Sequence, residues 1–230
     1  MPLRGKGVLA IWHAMTPEGD LEMIRWHDRE HVAERVGVPG FLRGRRYAHA
    51  TAPRQYLDFY ETESVETIRS DPYLARLNNP TPWTQRVLPH FRDTFRIGCR
   101  VLASVGRAQS GTMLTLRLGP AKGRDADLRS WITGAAPAEL AEPTGVVGVH
   151  VLETMSETTS IRTAEGKLKG GEVGAAEVVP PFVLVVEVTD PRGADALLAG
   201  PLAGGALAAH GAAPNPVAGV YRLQLTMDRE

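Results

Sequence analysis

Residues 6–106 read strand, helix, strand, strand, helix, strand, and residues 111–228 repeat that order, so the chain must fold as something that can be built twice. A βαββαβ unit makes an antiparallel sheet with both helices on one face, and its other face has to be covered. Two such sheets facing each other meet that requirement. The pattern therefore predicts an α+β chain of two tandem units, 1–107 and 108–230, with the antiparallel sheets packed as an α+β barrel and the helices outside.

The two copies differ in chemistry. The first holds 11 of the 14 aromatic residues and 5 of the 7 histidines, which places any site within residues 6–106 and leaves the Ala/Gly-rich second copy as scaffold. Lys+Arg and Asp+Glu balance at 26 each, so electrostatics gives no reason to expect nucleic acid or an anionic membrane as partner, and a small-molecule ligand fits better. The single cysteine, Cys99, excludes an intramolecular disulfide and suits the cytoplasm. The apolar stretch Val8 to Trp12 is too short for a secretory or membrane-spanning segment.

In the first copy, Gly7 to Ala14 reads as a buried strand and Thr16-Pro17-Glu18 as the start of a helix running to Arg35, with Leu21, Ile24, Val32 and Val36 as its apolar stripe. Val38-Pro39-Gly40 ends it. Phe41 to His49 and Gln55 to Thr62 read as strands, and the second alternates, with Leu57 and Phe59 on one side and Tyr56, Asp58 and Tyr60 on the other. The apolar side is expected to meet the helices and the phenol-and-carboxylate side to line a cavity. In the second copy, 194–209 reads as one Ala/Leu-rich helix able to pack closely on a second copy of the chain, so a homodimer is expected, and Ser156 to Pro181 reads as a long aperiodic loop.

Candidate site residues follow from these elements. His27 and His31 are spaced i, i+4 on one helix face, the geometry of two metal ligands, but no third ligand accompanies them and no metal site is expected. They remain either hydrogen-bonded structural histidines or acid/base groups, with Glu30 or Asp28 as orienting partner. Arg45 would either steady a carboxylate or enolate or pair across the strands with Asp58. Trp83 follows a rigid turn and either packs in the core or stacks on a ligand. Trp12 and His13 lie on opposite faces of the first strand, and their neighbours do not settle which looks inward. Motifs for nucleotide, flavin or serine-hydrolase chemistry are absent, so no organic cofactor is expected; haem held by one histidine is left open.

The run Trp26-His27-Asp28-Arg29-Glu30-His31-Val32, followed by Val38-Pro39-Gly40-Phe41 and Arg45-Arg46-Tyr47, resembles the dimeric α+β barrel superfamily of ferredoxin-like units, and within it the EthD-like proteins. The resemblance covers residues 7–105 by motif and the second half by element order. It implies a pocket for an aromatic, lactone or keto-acid-like compound, and it favours His31 as the base, because EthD-like proteins carry a histidine at the matching place. With the strand and turn residues read above, the expected site has His31, Arg45 and Tyr60 as catalytic groups and Trp26, His27, Tyr47, Tyr56, Asp58 and Trp83 contacting substrate. Isomerisation, decarboxylation, cyclisation and cofactor-independent oxygenation all fit this set; a non-catalytic ligand-binding or stress-associated protein is the alternative.

Overall fold

The computed structural model describes residues 3–159, 162–170 and 179–230. In chain order its elements are β1 (Gly7–Met15), α1 (Asp20–Trp26), a π-helical turn (His27–His31), α2 (Val32–Val36), β2 (Phe41–His49), β3 (Gln55–Thr62), a 3-10 turn (Val65–Arg69), α3 (Asp71–Asn78), α4 (Pro82–Val87), a second 3-10 turn (Leu88–His90) and β4 (Phe91–Gly106). The order recurs as β5 (Thr112–Leu118), α5 (Asp125–Thr133), α6 (Ala136–Glu139), β6 (Val146–Thr154), α7 (Ser156–Thr159), α8 (Ala164–Leu168), β7 (Phe182–Val188), α9 (Pro191–Ala199), α10 (Gly204–Ala209) and β8 (Val217–Asp228). The fold is α+β, with the βαββαβ order present twice.

The chain forms two compact units. The first is Arg4–Arg100 with Met155–Val179 and Leu223–Glu230; the second is Val101–Thr154 with Pro180–Arg222 and the N-terminal residues. The first sheet has the antiparallel order β4-β1-β3-β2. The second has the order β8-β5-β7-β6. In the second unit, Leu114, Leu116, Val149, Val151, Leu184 and Val186 form the sheet's contribution to a core shared with Leu128, Trp131 and Ile132 of α5 and Leu197 of α9. Each such side chain removed from water contributes about 1.5–3 kcal/mol, which is what holds a helix layer on a sheet.

The first helix departs from the sequence pattern in two ways. Its helical turns begin at Asp20, because Thr16 is held in a turn where its hydroxyl accepts from the Gly19 N–H and contacts His90 Nδ1 at 2.9 Å. A π turn over His27–His31 then interrupts it. One extra residue in a turn rotates the residues before it by about 100° relative to those after it. Met23 and Trp26 are therefore brought into phase with Val32 and Val36 and are buried, whereas Leu21, expected in the apolar stripe, is 58% exposed.

The faces of the first sheet are also the reverse of the expectation. Tyr56 packs with Met23, Trp26 and Val87, and Tyr60 with Val32, Val36 and Tyr73, so the Tyr56–Asp58–Tyr60 face is the one the helices cover. The helix expected over 194–209 is two helices, because Gly200-Pro201 stops α9 and Leu202 N–H turns back to the Leu197 carbonyl. The stretch expected to be a loop at 156–181 contains α7 and α8, packed within the first unit; residues 160–161 and 171–178 lie outside the described residues.

Gly44 faces Tyr60 in the β2·β3 register, and a Cβ there would lie 2.9 Å from the Tyr60 ring and 2.9 Å from Val32 Cγ1. Gly44→Ala is expected to cost about 1–3 kcal/mol by overpacking, visible as a Tm lowered by several degrees, with partial recovery on adding Val32→Ala. Gly205→Ala in α10, where nothing lies within 4 Å, is the control and leaves Tm unchanged or raised. Equal Tm values for the two variants would show that Tyr60 is not packed as described.

Candidate functional site

Cross-strand register decides which side chains meet. On the helix-covered face, Tyr56, Asp58 and Tyr60 of β3 lie opposite His13, Ile11 and Leu9 of β1 and opposite Ala48, Arg46 and Gly44 of β2. On the other face, Leu57, Phe59 and Glu61 lie opposite Trp12, Ala10 and Val8, and opposite Tyr47, Arg45 and Arg43. His13, not Trp12, therefore joins the Tyr56–Asp58–Tyr60 face. Arg45 and Tyr47 do not join it. The Arg45–Asp58 pair considered from sequence does not form, because Arg45 points away from Asp58: its NH2 lies 2.9 Å from Glu61 Oε1, and its guanidinium sits over the Phe59 and Tyr47 rings at 5.1 and 5.6 Å. Arg43 donates to both oxygens of the same Glu61.

Under the helices, the structure brings together His13, His27, His31, Asp58, Tyr60 and Trp26, all buried. Asp58 sits between two imidazoles: Oδ2 is 3.2 Å from His13 Nε2, and Oδ1 is 3.5 Å from His27 Nδ1. The π turn places His27 and His31 parallel, with ring centroids 5.1 Å apart and planes at 14°, and Trp26 closes on His31 at 3.9 Å. Phe91 backs His13 at 4.4 Å. Arg46, whose strand position faces Asp58, turns to Asp28 Oδ1 at 2.8 Å and to the Ile24 carbonyl. Glu30, a suggested partner for His31, instead accepts from Trp26 Nε1 and Thr81 Oγ1. Neither Glu30 nor Asp28 is bonded to His31. Tyr56 and Trp83 lie at the margin, where Tyr56 donates to Asp20 Oδ1 and Trp83 Nε1 to Glu22 Oε1.

Buried polar atoms in folded proteins nearly always have partners. Here both ring nitrogens of His13 and of His27, His31 Nδ1, Asp58 Oδ1 and the Tyr60 hydroxyl are buried without an aligned hydrogen bond. Burial holds His27 at about 4, although the Asp58 carboxylate pulls the other way. His31 lies well below the ordinary imidazole value through burial first and the Arg35 charge next. Burial opposes ionisation of Asp58, but His27 and His13 bring its carboxyl net below the usual range. Burial, then the Asp58 charge, pushes the Tyr60 phenol well up. At neutral pH the cluster thus holds an ionised Asp58, neutral imidazoles at His27 and His31, and a phenol that can only donate.

The second unit is an internal control. Counting from the first cross-strand pairs, Gly7·Thr62 and Thr112·Val188, a buried glutamate follows at the same position in each: Glu61 accepts from Arg4 N–H and Glu187 from Ser110 N–H. The helix-facing pairs Leu9·Tyr60, Ile11·Asp58 and His13·Tyr56 then correspond to Leu114·Val186, Leu116·Leu184 and Leu118·Phe182. The same sheet position is wholly apolar in the second copy. The polar cluster is therefore not a requirement of this sheet–helix packing. Sequence reading missed His13 and the reversed face; the only signal for His13 was its odd-numbered alternation with Ile11 and Leu9.

Among the described residues, no group of three or more His, Cys, Asp or Glu side chains is arranged to hold a metal ion. A haem would need one of the clustered imidazoles as axial ligand, and a group of that size would have to separate the Trp26–His31–His27 stack, so the cluster fits it poorly. Among the described residues, no helix is long and apolar enough to cross a membrane.

No protein-family model and no curated protein matches this chain. Solved structures do. An anthrone oxidase-like protein superposes with a TM-score of 0.62 at 15% identity, covering 100% of this chain and 96% of its own. A candidate monooxygenase from Fusobacterium nucleatum gives 0.59 at 8% identity over 99% and 96%. A haem-binding protein from Thermus thermophilus gives 0.56 at 9% identity over 98% and 93%. At such identities the likeness is one of fold, which this chain shares with monooxygenase-like proteins.

A histidine kept neutral by burial makes stability fall on acidification. His27 takes a proton near pH 6.5 when unfolded and only near 4 when folded, so its contribution is intact above pH 6.5 and is lost as pH falls towards 4. Denaturant unfolding at pH 7.5 and 4.5 is expected to show a loss on the order of a few kcal/mol, reduced in His27→Leu. An unchanged slope in that variant would contradict the neutral buried state.

Proposed function

We propose that the first unit is a small-molecule enzyme that removes a proton from an acidic C–H or O–H of an aromatic compound and steadies the resulting enolate-type anion. The observation that carries this reading is the contrast between the units: a buried Asp–His–Tyr set stands where the second copy has only Leu, Val and Phe. Asp58 orients His27 through Nδ1, leaving Nε2 as the proton acceptor; a neutral imidazole with a carboxylate behind it can take up positive charge at that moment. His31, parallel to it, and the Tyr60 hydroxyl, a donor without an intramolecular acceptor, would hold the anion's oxygen. Arg45 and Tyr47 have no part in this step because they occupy the opposite face.

The His-bearing first helix and the Pro39-Gly40 turn support an EthD-like assignment, and the fold shared with an anthrone oxidase-like protein and a candidate monooxygenase favours dioxygen as the co-substrate that the anion would meet. No cofactor is called on for the proton transfer itself.

Oxygen uptake and product analysis with a panel of anthrone-type phenols test the proposal. His27→Gln and His31→Gln are expected to lower turnover by about 10²–10⁴-fold, and Tyr60→Phe by about tenfold or more, with circular dichroism and Tm near those of the parent. Binding without turnover in the parent protein would establish a ligand-binding protein instead. Loss of Tm with full specific activity would make the histidines structural.

A further inference from the structure

The connection between β2 and β3 is the five residues 50–54, whereas its counterpart between β6 and β7 runs from 155 to 181. The described part of that longer connection packs within the first unit. Thr163 caps α8 by accepting from Gly166 N–H, Ala164 N–H donates to Asn78 Oδ1, and Glu165 pairs with Arg35, so the segment is fastened to α3 and α2. This fastening sets down Lys169, half-buried, with its ammonium 5.3 Å over the ring of Phe91. Phe91 is the ring that also packs on His13 at 4.4 Å and on Trp26 at 6.3 Å. On β4, Arg96 donates to the Thr158 carbonyl at 2.7 Å and lies over Tyr73 at 5.9 Å.

Glu165 is committed to Arg35, and among the described residues neither Lys169 nor Arg96 has a carboxylate within ion-pair distance. Two half-buried cations beside an aromatic cluster, with no carboxylate of the described residues at ion-pair distance, offer an anionic oxygen group charge-assisted hydrogen bonds. Resting on the site proposed above, we infer that Lys169 and Arg96 form its anion-holding end, so that the substrate is an aromatic compound carrying an anionic oxygen group such as a carboxylate. Lys169 acts in recognition and His27 in proton transfer, and the second copy's long connection thereby completes the first copy's site.

The charge state of Lys169 agrees with this geometry. Burial, and next the Arg96 charge, brings its ammonium down to about 8; Glu165 and Asp58 pull it up and Arg35 pushes it further down. Among these neighbours, His31 is neutral and does not change charge in the alkaline range. A bound carboxylate is therefore held most strongly below pH 8 and released above it.

The test is calorimetric titration with 2-naphthoate and its neutral isostere 2-naphthamide at pH 7 and pH 9, on the full chain and on Lys169→Met and Lys169→Arg. The parent is expected to bind the acid at least tenfold more tightly than the amide at pH 7, with that preference falling several-fold at pH 9. Lys169→Met lowers the preference several-fold, removes its dependence on pH between 7 and 9 and leaves amide affinity within twofold; Lys169→Arg retains the preference at pH 9. Equal binding of acid and amide by the parent, or an undiminished and still pH-dependent preference in Lys169→Met, overturns the anion assignment while leaving the aromatic site standing. Failure of the parent to bind either compound overturns both.

Discussion

The arrangement of the first unit turns on one buried carboxylate. Asp58 lies on the central strand β3 beneath the helices, where an isolated charge would cost many kcal/mol. It stays ionised because His13 and His27 stand at its two oxygens. That requirement reaches outwards. His27 must face inwards from the helix at the same time as Met23, Trp26, Val32 and Val36, and a regular helix cannot present all five on one side. The π turn resolves the conflict by rotating the N-terminal half of the helix into phase, and in doing so it stacks His31 parallel to His27. Gly44 then becomes necessary, since Tyr60 beside Asp58 fills the space a Cβ would take.

None of this is needed to hold helices on a sheet of this kind. The second unit does so with Leu116·Leu184 and Leu118·Phe182 where the first has Ile11·Asp58 and His13·Tyr56. Replacing buried ion pairs by well-packed apolar residues is often neutral or stabilising, so a cluster of this kind in one copy alone is not a requirement of folding. The neighbouring buried glutamates, Glu61 and Glu187, show the other case. They recur at the same register position in both copies, each tied to a backbone N–H just before the strand it pairs with, β1 or β5, which marks them as part of the shared framework.

Much of this was legible in the sequence. The doubled element order and the strand limits of β2, β3, β5 and β7 all followed from periodicity and residue type. The His27/His31 spacing correctly put two imidazoles on one helix face. Alternation, however, divides a strand into two sets without saying which set is covered. Leu57 and Phe59 are by residue type the natural set to meet helices, yet Tyr56 and Tyr60 bury their rings there equally well, and Asp58 is accommodated by partners that come from β1 and the helix, remote in sequence. The same one-residue step separates Arg45 from Arg46, and only the cross-strand register shows that Arg46 shares the face of Asp58. The π turn left no signal in composition, so a regular wheel placed Leu21 inside and Trp26 out of phase. Lys169 lay in a segment without periodicity, where residue type alone carries no position.

The asymmetry of the two hairpins connects these points. In the first copy the β2–β3 turn is tight: Arg54 is held at a φ of 58°, and its carbonyl accepts from Met15 N–H at the end of β1, which fixes the strand on which His13 stands. Lengthening that turn would loosen the register that aligns His13 with Tyr56 and Ile11 with Asp58, and a slip of one residue would send the cluster to the opposite face. The corresponding strands of the second copy carry only apolar residues at those positions. A connection there can grow without disturbing chemistry in its own sheet. The segment bearing Glu165 and Lys169 is accordingly found where growth is permitted, and it is fastened where polar partners exist, on Arg35 and Asn78 of the first unit. A duplicated chain of this design can keep one sheet rigid enough to hold a buried Asp–His pair and take its adjustable recognition groups from the connection of the other.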